Sequence, residues 1–203
     1  MEALSLVRGG VEVLSIPSLD IAEGGRLVLV GPNGSGKTSL LKVLAGLIAP
    51  SGGSIGFSCP PRRVVYLHQH AYIMAGSVSY NVEFGARSRG MPAAQASAGA
   101  AAAMRLLGLE GFGRRAHRQL SGGEAQRVAL ARAIASGSDV FLLDEPTASA
   151  DAASRQLIER AIATKAESGA TMVLATHDLA LARALDGRTL TLEGGRIREG
   201  GPR

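Results

Sequence analysis

Three groups of residues in this chain could do chemistry. The first is Gly31-Pro32-Asn33-Gly34-Ser35-Gly36-Lys37-Thr38, which fits the spacing G-x-x-x-x-G-K-[ST]. Glycines let a backbone curl until successive N–H groups face one phosphate. A helix starting in the loop adds the partial positive charge of its N-terminus. Lys37 supplies a full charge for the β- and γ-phosphates, Thr38 a hydroxyl for Mg²⁺, and Ser39 follows them in the phosphate-binding set. The second group is Val140-Phe141-Leu142-Leu143-Asp144-Glu145, an apolar run that ends in two carboxylates. Asp144 can hold Mg²⁺ through its water shell, and Glu145, one step further, can polarise a water near the γ-phosphate. The third is Leu120-Ser121-Gly122-Gly123-Glu124 ahead of Ala125-Gln126-Arg127-Val128. It reads as a second glycine-rich helix start, hence a second anion site, and equally as a capping box with Ser121 at the cap and Glu124 three residues on.

The elements that must position these groups can be read from the pattern. Short runs over the first 30 residues read as strands with turns, Leu27 to Val30 as a buried strand, and a helix runs from the glycine loop to about Ala45. Pro50 to Gly53 reads as a turn and Arg63 to Leu67 as a strand ending at His68-Gln69-His70. Alanine dominates Ala93 to Ala103, and Gly90-Met91-Pro92 and Gly108 to Gly113 bracket it, so this segment reads as a helical insert. Met104, Leu106, Leu107 and Leu109 favour packing over a flexible linker. Helices over Glu124 to Ala135, Ala153 to Ala166 and Leu179 to Leu185 alternate with strands at 140–143 and 171–175, and a hairpin closes the pattern across Glu193-Gly194-Gly195. Alternation of this kind predicts a parallel α/β sheet.

One nucleotide does not need two phosphate cradles from one chain. Two chains facing head to tail could use both, each nucleotide lying between the loop of one and the Ser121-Gly122-Gly123 of the other. Gly31 to Thr38, Leu120 to Glu124 and Leu142-Leu143-Asp144-Glu145-Pro146, in this order, resemble the ATP-binding subunits of ABC transporters, and the resemblance covers essentially the whole chain. It implies a P-loop NTPase core with a parallel sheet, an N-terminal antiparallel β subdomain and a helical insert. It also implies one domain over 1–203, with core 1–75 and 119–203 and a helical subdomain at about 76–118. ATP with Mg²⁺ is the implied fuel. Gln69 corresponds to the Q-loop glutamine, which reports on Mg²⁺ and contacts the membrane partner. Asp151 corresponds to the D-loop aspartate and His177 to the switch histidine that contacts the γ-phosphate.

The implied partners are transmembrane permease subunits on a separate chain, a second copy of this chain in an ATP sandwich, and, for an importer, a solute-binding protein acting indirectly. The implied place is the cytoplasmic face of the cell membrane. The sequence departs from the family at one position. Where an aromatic residue usually stacks on adenine, counting back from Val13-Leu14 gives Arg8, and no aromatic precedes Phe57. Either the Arg8 guanidinium stacks on the base or Val13 packs against it, which predicts weaker base discrimination.

Composition sets outer limits. With 203 residues, 46% hydrophobic and 3% aromatic, the chain can bury a core of Leu, Val, Ile and Ala. The net charge of +5 comes with a basic run, Arg114-Arg115-Ala116-His117-Arg118, that has no interleaved aromatics, so no nucleic acid partner is expected. The single cysteine, Cys59, cannot form a disulfide within the chain. Met1-Glu2-Ala3-Leu4 does not begin a leader pattern, so no signal peptide is expected, and none of the segments is apolar over the ~20 residues that span a bilayer. No regulatory domain is expected after the switch histidine.

Rival classes fit less well. The distance from Lys37 to Ser121 leaves no room for the long coiled coil of repair-type ABC ATPases, and translation-type members carry two such domains. A small-molecule kinase leaves Leu120 to Glu124 and His177 unexplained. The stretch Leu67 to Val78, with Asn81-Val82 and Gly85, resembles prokaryotic importers, and together with Gly111-Phe112-Gly113-Arg114-Arg115 most resembles the oxyanion branch, the tungstate subunits above all. Phosphate, molybdate and amino acid importers and exporters remain alternatives. Ala71 to Gly85, with Tyr72, Ile73 and Met74, is the expected docking surface for the permease.

Overall fold

The computed structural model describes residues 1–58 and 63–198; Cys59 lies outside them. The chain divides into two compact units, Met1–Tyr66 with Asp139–Glu145 and Gly169–Arg203, and Leu67–Ser138 with Pro146–Ser168.

The first unit is built on two sheets. Strands β1 (Glu2–Arg8), β2 (Val11–Ser18) and β4 (Gly52–Ser54) form a three-stranded antiparallel sheet in the order β2-β1-β4. The predicted turn at Pro50 to Gly53 therefore ends in a short strand, because Gly52 and Ser54 pair with Ser5 and Glu2. The second sheet has six strands, ordered β5 (Val64–Leu67), β6 (Val140–Asp144), β7 (Thr171–Ala175), β3 (Arg26–Val30), β8 (Arg188–Glu193) and β9 (Arg196–Arg198). β6, β7, β3 and β8 run parallel, and β9 turns back antiparallel on β8. The central strands β6, β7 and β3 are apolar on both faces, as strands covered on both sides require, whereas β8 alternates polar and apolar residues.

Helix α1 (Lys37–Leu44) lies between the two sheets. Its Leu40 and Leu41 share one buried cluster with Leu4, Leu14 and Ile16 of the small sheet and with Leu29, Leu142, Val173 and Leu192 of the large one. Burying each such side chain is worth roughly 1.5–3 kcal/mol, so the helix start, and the loop ahead of it, is anchored on both faces.

The second unit is helical, with α2 (Val78–Arg87), α3 (Ala93–Leu106), α4 (Gly122–Ala135) and α5 (Ala152–Glu167). The alanine-rich α3 packs on α2 and α4 through Ala96, Ala100, Ala103 and Met104. Leu107 and Leu109 are fully buried just after it, so the segment is packed and not a linker. The seven-residue α6 (Leu179–Leu185) belongs to the first unit. Among the described residues no helix is long and apolar enough to cross a membrane.

Candidate nucleotide site

The parallel sheet brings its chemistry to one edge, where β3, β6 and β7 end. The phosphate loop follows β3 at Gly31 and enters α1 at Lys37. Gly36 caps the helix in the left-handed region, φ 104°, and a Cβ there would press on the Leu14 side chain at 2.8 Å. Only glycine combines that backbone with that clearance. Pro32, Asn33 and Gly34 make the exposed crown of the loop, and the Ser35 N–H donates to the Pro32 carbonyl at 3.2 Å. The Lys37 ammonium donates to the carbonyls of Gly31 at 2.7 Å and Pro32 at 3.0 Å, which curls it over its own loop and leaves one further N–H to donate.

Asp144 closes β6 and is 1% exposed. Its Oδ1 accepts from the Thr38 hydroxyl at 3.1 Å and its Oδ2 from the Tyr66 hydroxyl at 2.9 Å. The half-buried Thr38 hydroxyl beside the buried Asp144 carboxylate is an all-oxygen donor pair, which suits a hard cation that keeps several waters and takes its other ligands from phosphate. Among the described residues no cluster of three His, Cys, Asp or Glu competes for a metal. The buried Ser35 Oγ has no protein hydrogen-bond partner, as expected of a donor directed at a loop ligand. The loop and Asp144 therefore fit a Mg²⁺–nucleotide. Burial, the hydrogen bond to Asp144 and the Asp144 charge all push the Tyr66 phenol up from its ordinary value, so it stays a donor.

Glu145 breaks strand geometry with φ 45°. Its N–H still donates to the Ala175 carbonyl at 2.8 Å, while its side chain turns to the end of β7. There the carboxylate accepts from the Thr176 hydroxyl at 3.2 Å and the His177 N–H at 3.3 Å, and lies 2.9 Å from His177 Nδ1. An ionised carboxylate only accepts, so Nδ1 carries the hydrogen and Nε2 is left as the acceptor of the ring. Glu145 is nearly buried and His177 is 72% exposed, so the pair runs from the sheet edge to the surface. Glu145 keeps lone-pair capacity for one water beyond its three protein donors.

Arg8 sits exposed at the tip of the β1–β2 hairpin, across a two-residue Gly9-Gly10 turn from Val11. β2 runs beside the phosphate loop: the Val13 carbonyl lies 3.2 Å from where a Cβ on Gly36 would sit.

The second unit holds the other predicted residues. Ser121 caps α4 and the capping box is complete: Ser121 Oγ accepts from the Glu124 N–H at 3.2 Å and Glu124 Oε2 from the Ser121 N–H at 2.8 Å. The Ser121 backbone N–H holds the Glu124 carboxyl below its ordinary value; burial, the next effect in size, opposes it, and the Ser121 hydroxyl, Arg115 and Arg127 add smaller lowering contributions. Gly122 and Gly123 follow, and a Cβ on Gly123 would meet the Ser154 hydroxyl at 2.8 Å. Asp151 caps α5 by accepting from the Ser154 N–H at 2.7 Å, which, with that hydroxyl, lowers its carboxyl's value. The structure thus brings Ser121–Gly123 and Asp151 together. Gln69 sits half-buried in a bend two residues past β5. The basic run is partly used internally: Arg115 stacks 3.8 Å above Phe112 and pairs with Glu124 at 3.2 Å.

Two residues escaped the sequence reading. Tyr66 was visible only as a hydroxyl in an otherwise apolar strand, and Thr176 only as the neighbour of His177. A cavity of about 170 Å³ lies at the opposite edge of the sheet, near the starts of β6 and β7, and is lined by none of the predicted site residues.

The chain is similar to known proteins over its whole length. Residues 14–148 match the family model described as ABC transporter. The chain is 39% identical over 188 residues to the taurine import ATP-binding protein TauB of Pseudomonas putida, covering 88% of this chain and 72% of that one. It is 39% identical over 202 residues to the molybdenum import ATP-binding protein ModC of Mycobacterium tuberculosis, covering 90% of this chain and 55% of that one. Its fold superposes on the dimeric post-hydrolysis structure of the ATP-binding cassette MJ0796 bound to ADP and Pi with a TM-score of 0.88, at 26% identity over 100% of this chain and 97% of the other.

Proposed function

The chain belongs to the ABC transporter family as an ATP-hydrolysing, ATP-binding subunit of the importer type, and we propose that it drives uptake of a small oxyanion, tungstate foremost, through separate permease subunits. In this reading the protein lies peripherally on the cytoplasmic face of the cell membrane. The observation that carries the catalytic part is the convergence of Lys37, Thr38, Asp144, Glu145 and His177 at one sheet edge.

Gly31 to Ser39 would hold the phosphates, and Thr38 and Asp144 would hold Mg²⁺, which when bound neutralises charge developing on the phosphates. Glu145 accepts the proton of the attacking water, and the Thr176 hydroxyl and His177 keep its carboxylate aimed. His177 Nδ1 donates to Glu145, so a proton added at Nε2 would turn the exposed side of the ring into a donor toward the γ-phosphate. Ser121, Gly122 and Gly123 act across a dimer interface on the ATP of a second copy, with Asp151 beside them. Two ATP molecules are sandwiched, and closure excludes water from both sites. Residues about 76–118 form the lever, and Ala71 to Gly85, with Tyr72 75% exposed, meets the permease. A solute-binding protein delivers the anion outside.

Glu145→Gln tests the core of this reading. The amide cannot take the proton, so hydrolysis is expected to fall by at least about 10²-fold while ATP still binds and a dimer accumulates by light scattering. Unchanged hydrolysis would remove Glu145 from the role. The cargo is tested with the co-purified permease in vesicles: hydrolysis stimulated by a binding protein loaded with taurine or haem, and not with tungstate, molybdate or phosphate, would overturn the oxyanion assignment.

A further inference from the structure

We infer that Tyr66 is a positioning residue whose hydroxyl fixes the plane of the Asp144 carboxylate and so sets which oxygen faces the metal. The inference rests on the reading of Asp144 as a metal-binding group. β5 lies next to β6 in the sheet, and Tyr66 reaches from it to the last residue of β6. Asp144 is thereby gripped from two elements, by Thr38 of α1 on Oδ1 and by Tyr66 of β5 on Oδ2.

The terminal torsion of an aspartate is soft and roughly two-fold, so one hydrogen bond leaves the carboxylate free to rock and exchange its oxygens. Two bonds to different oxygens remove that freedom. With Oδ2 accepting from the phenol, Oδ1 is the oxygen presented beside the Thr38 hydroxyl, the other half of the donor pair. A hydrogen bond to an ionised acceptor is about twice as strong as a neutral one, enough to hold this orientation at a buried site. A phenylalanine would fill the same space with one fewer polar group to satisfy, so packing alone does not call for the hydroxyl. Groups that orient metal ligands typically change metal affinity by 10–100-fold when lost.

The test is Tyr66→Phe beside Asp144→Asn in the full chain. ATP binding is measured in EDTA and in Mg²⁺, and Mn²⁺ binding to the ATP-loaded protein by electron paramagnetic resonance. Tyr66→Phe is expected to weaken Mn²⁺ binding about 10-fold while ATP binding in EDTA, which also reports on folding, stays within about twofold of the native protein. Equal losses in EDTA and in Mg²⁺ would make the hydroxyl a packing element and overturn the inference, as would undiminished Mn²⁺ binding. If Asp144→Asn also keeps the full metal-dependent gain, the metal reading of Asp144 falls and takes the inference with it. If Asp144→Asn loses that gain while Tyr66→Phe keeps it, only the role of Tyr66 falls.

Discussion

The phosphate loop leans on the terminal hairpin, and Gly195→Ala is the perturbation that measures this. Gly195 lies in the turn between β8 and β9, is buried, and has φ 77°. Its N–H donates to the Ser35 carbonyl inside the loop at 3.0 Å, and its carbonyl accepts from the Ser15 N–H of β2 at 2.8 Å. A Cβ at this position would run into the Val13 carbonyl oxygen of β2. Three costs follow: about 1 kcal/mol for an alanine held in the left-handed region, about 1–3 kcal/mol for the forced shift of β2 or the turn, and about 1 kcal/mol if the bond to Ser35 is lost. The neighbouring Gly194 is the internal control. It also has positive φ, 52°, but a Cβ there meets nothing within 4 Å, so Gly194→Ala carries only the backbone cost of about 1 kcal/mol. Urea unfolding followed by far-ultraviolet circular dichroism should separate the two variants by about 2–4 kcal/mol. ATP binding should weaken in Gly195→Ala and stay native in Gly194→Ala, since only Gly195 touches the loop. If the two variants unfold within about 1 kcal/mol of each other and bind ATP alike, the hairpin does not brace the loop.

Two further tests address the base and the second anion site. If Arg8 is the base contact, Arg8→Tyr should raise the preference for ATP over GTP, measured by competition against a fluorescent ATP analogue; the same preference factor in both proteins would show that residue 8 does not read the base. Ser121→Ala should cost about 1 kcal/mol of stability through loss of the α4 cap, and should lower hydrolysis without changing ATP binding to the monomer. Because Glu124 has a folded value below its unfolded one, its contribution is present above the unfolded value and fades as pH falls through the folded value. Glu124→Gln should therefore flatten the stability profile as pH falls below the ordinary carboxylate range, and an unchanged slope would mean that the capping carboxylate contributes nothing to stability.

What could be read from the sequence follows from where the chemistry sits. The loop at Gly31 to Thr38 and the acids at Asp144-Glu145 each follow a short apolar run, so period and punctuation alone place them at strand ends. The alanine-rich α3 and the capping box at Ser121 were legible because both are local, within a turn or two of chain. Strand order was not. Nothing in the pattern says that β7 inserts between β6 and β3, or that β5 lies beside β6. The Tyr66–Asp144 bond joins residues 78 apart and depends wholly on that order. The brace from Gly195 to Ser35 was illegible for the same reason, since a Gly194-Gly195 pair reads only as a turn.

Glu145 was legible as an acid but not as a bend, and the bend separates its task from that of Asp144. Successive residues of a strand point to opposite faces, so two adjacent carboxylates would normally diverge across the sheet. Here the backbone leaves the strand at Glu145, φ 45°, at a cost on the order of 1–3 kcal/mol for a residue other than glycine. The bond from its N–H to Ala175 and the three donors from Thr176 and His177 offset that cost. Asp144 is left facing Thr38 and Tyr66 on the side of β5 and α1, while Glu145 faces the end of β7. One carboxylate is then fixed beside Thr38 of the phosphate loop while the other is held against a histidine that reaches the surface, the separation that the proposed hydrolysis calls for. A Glu145→Gly variant would relieve the backbone, yet it would remove the group the strain exists to aim.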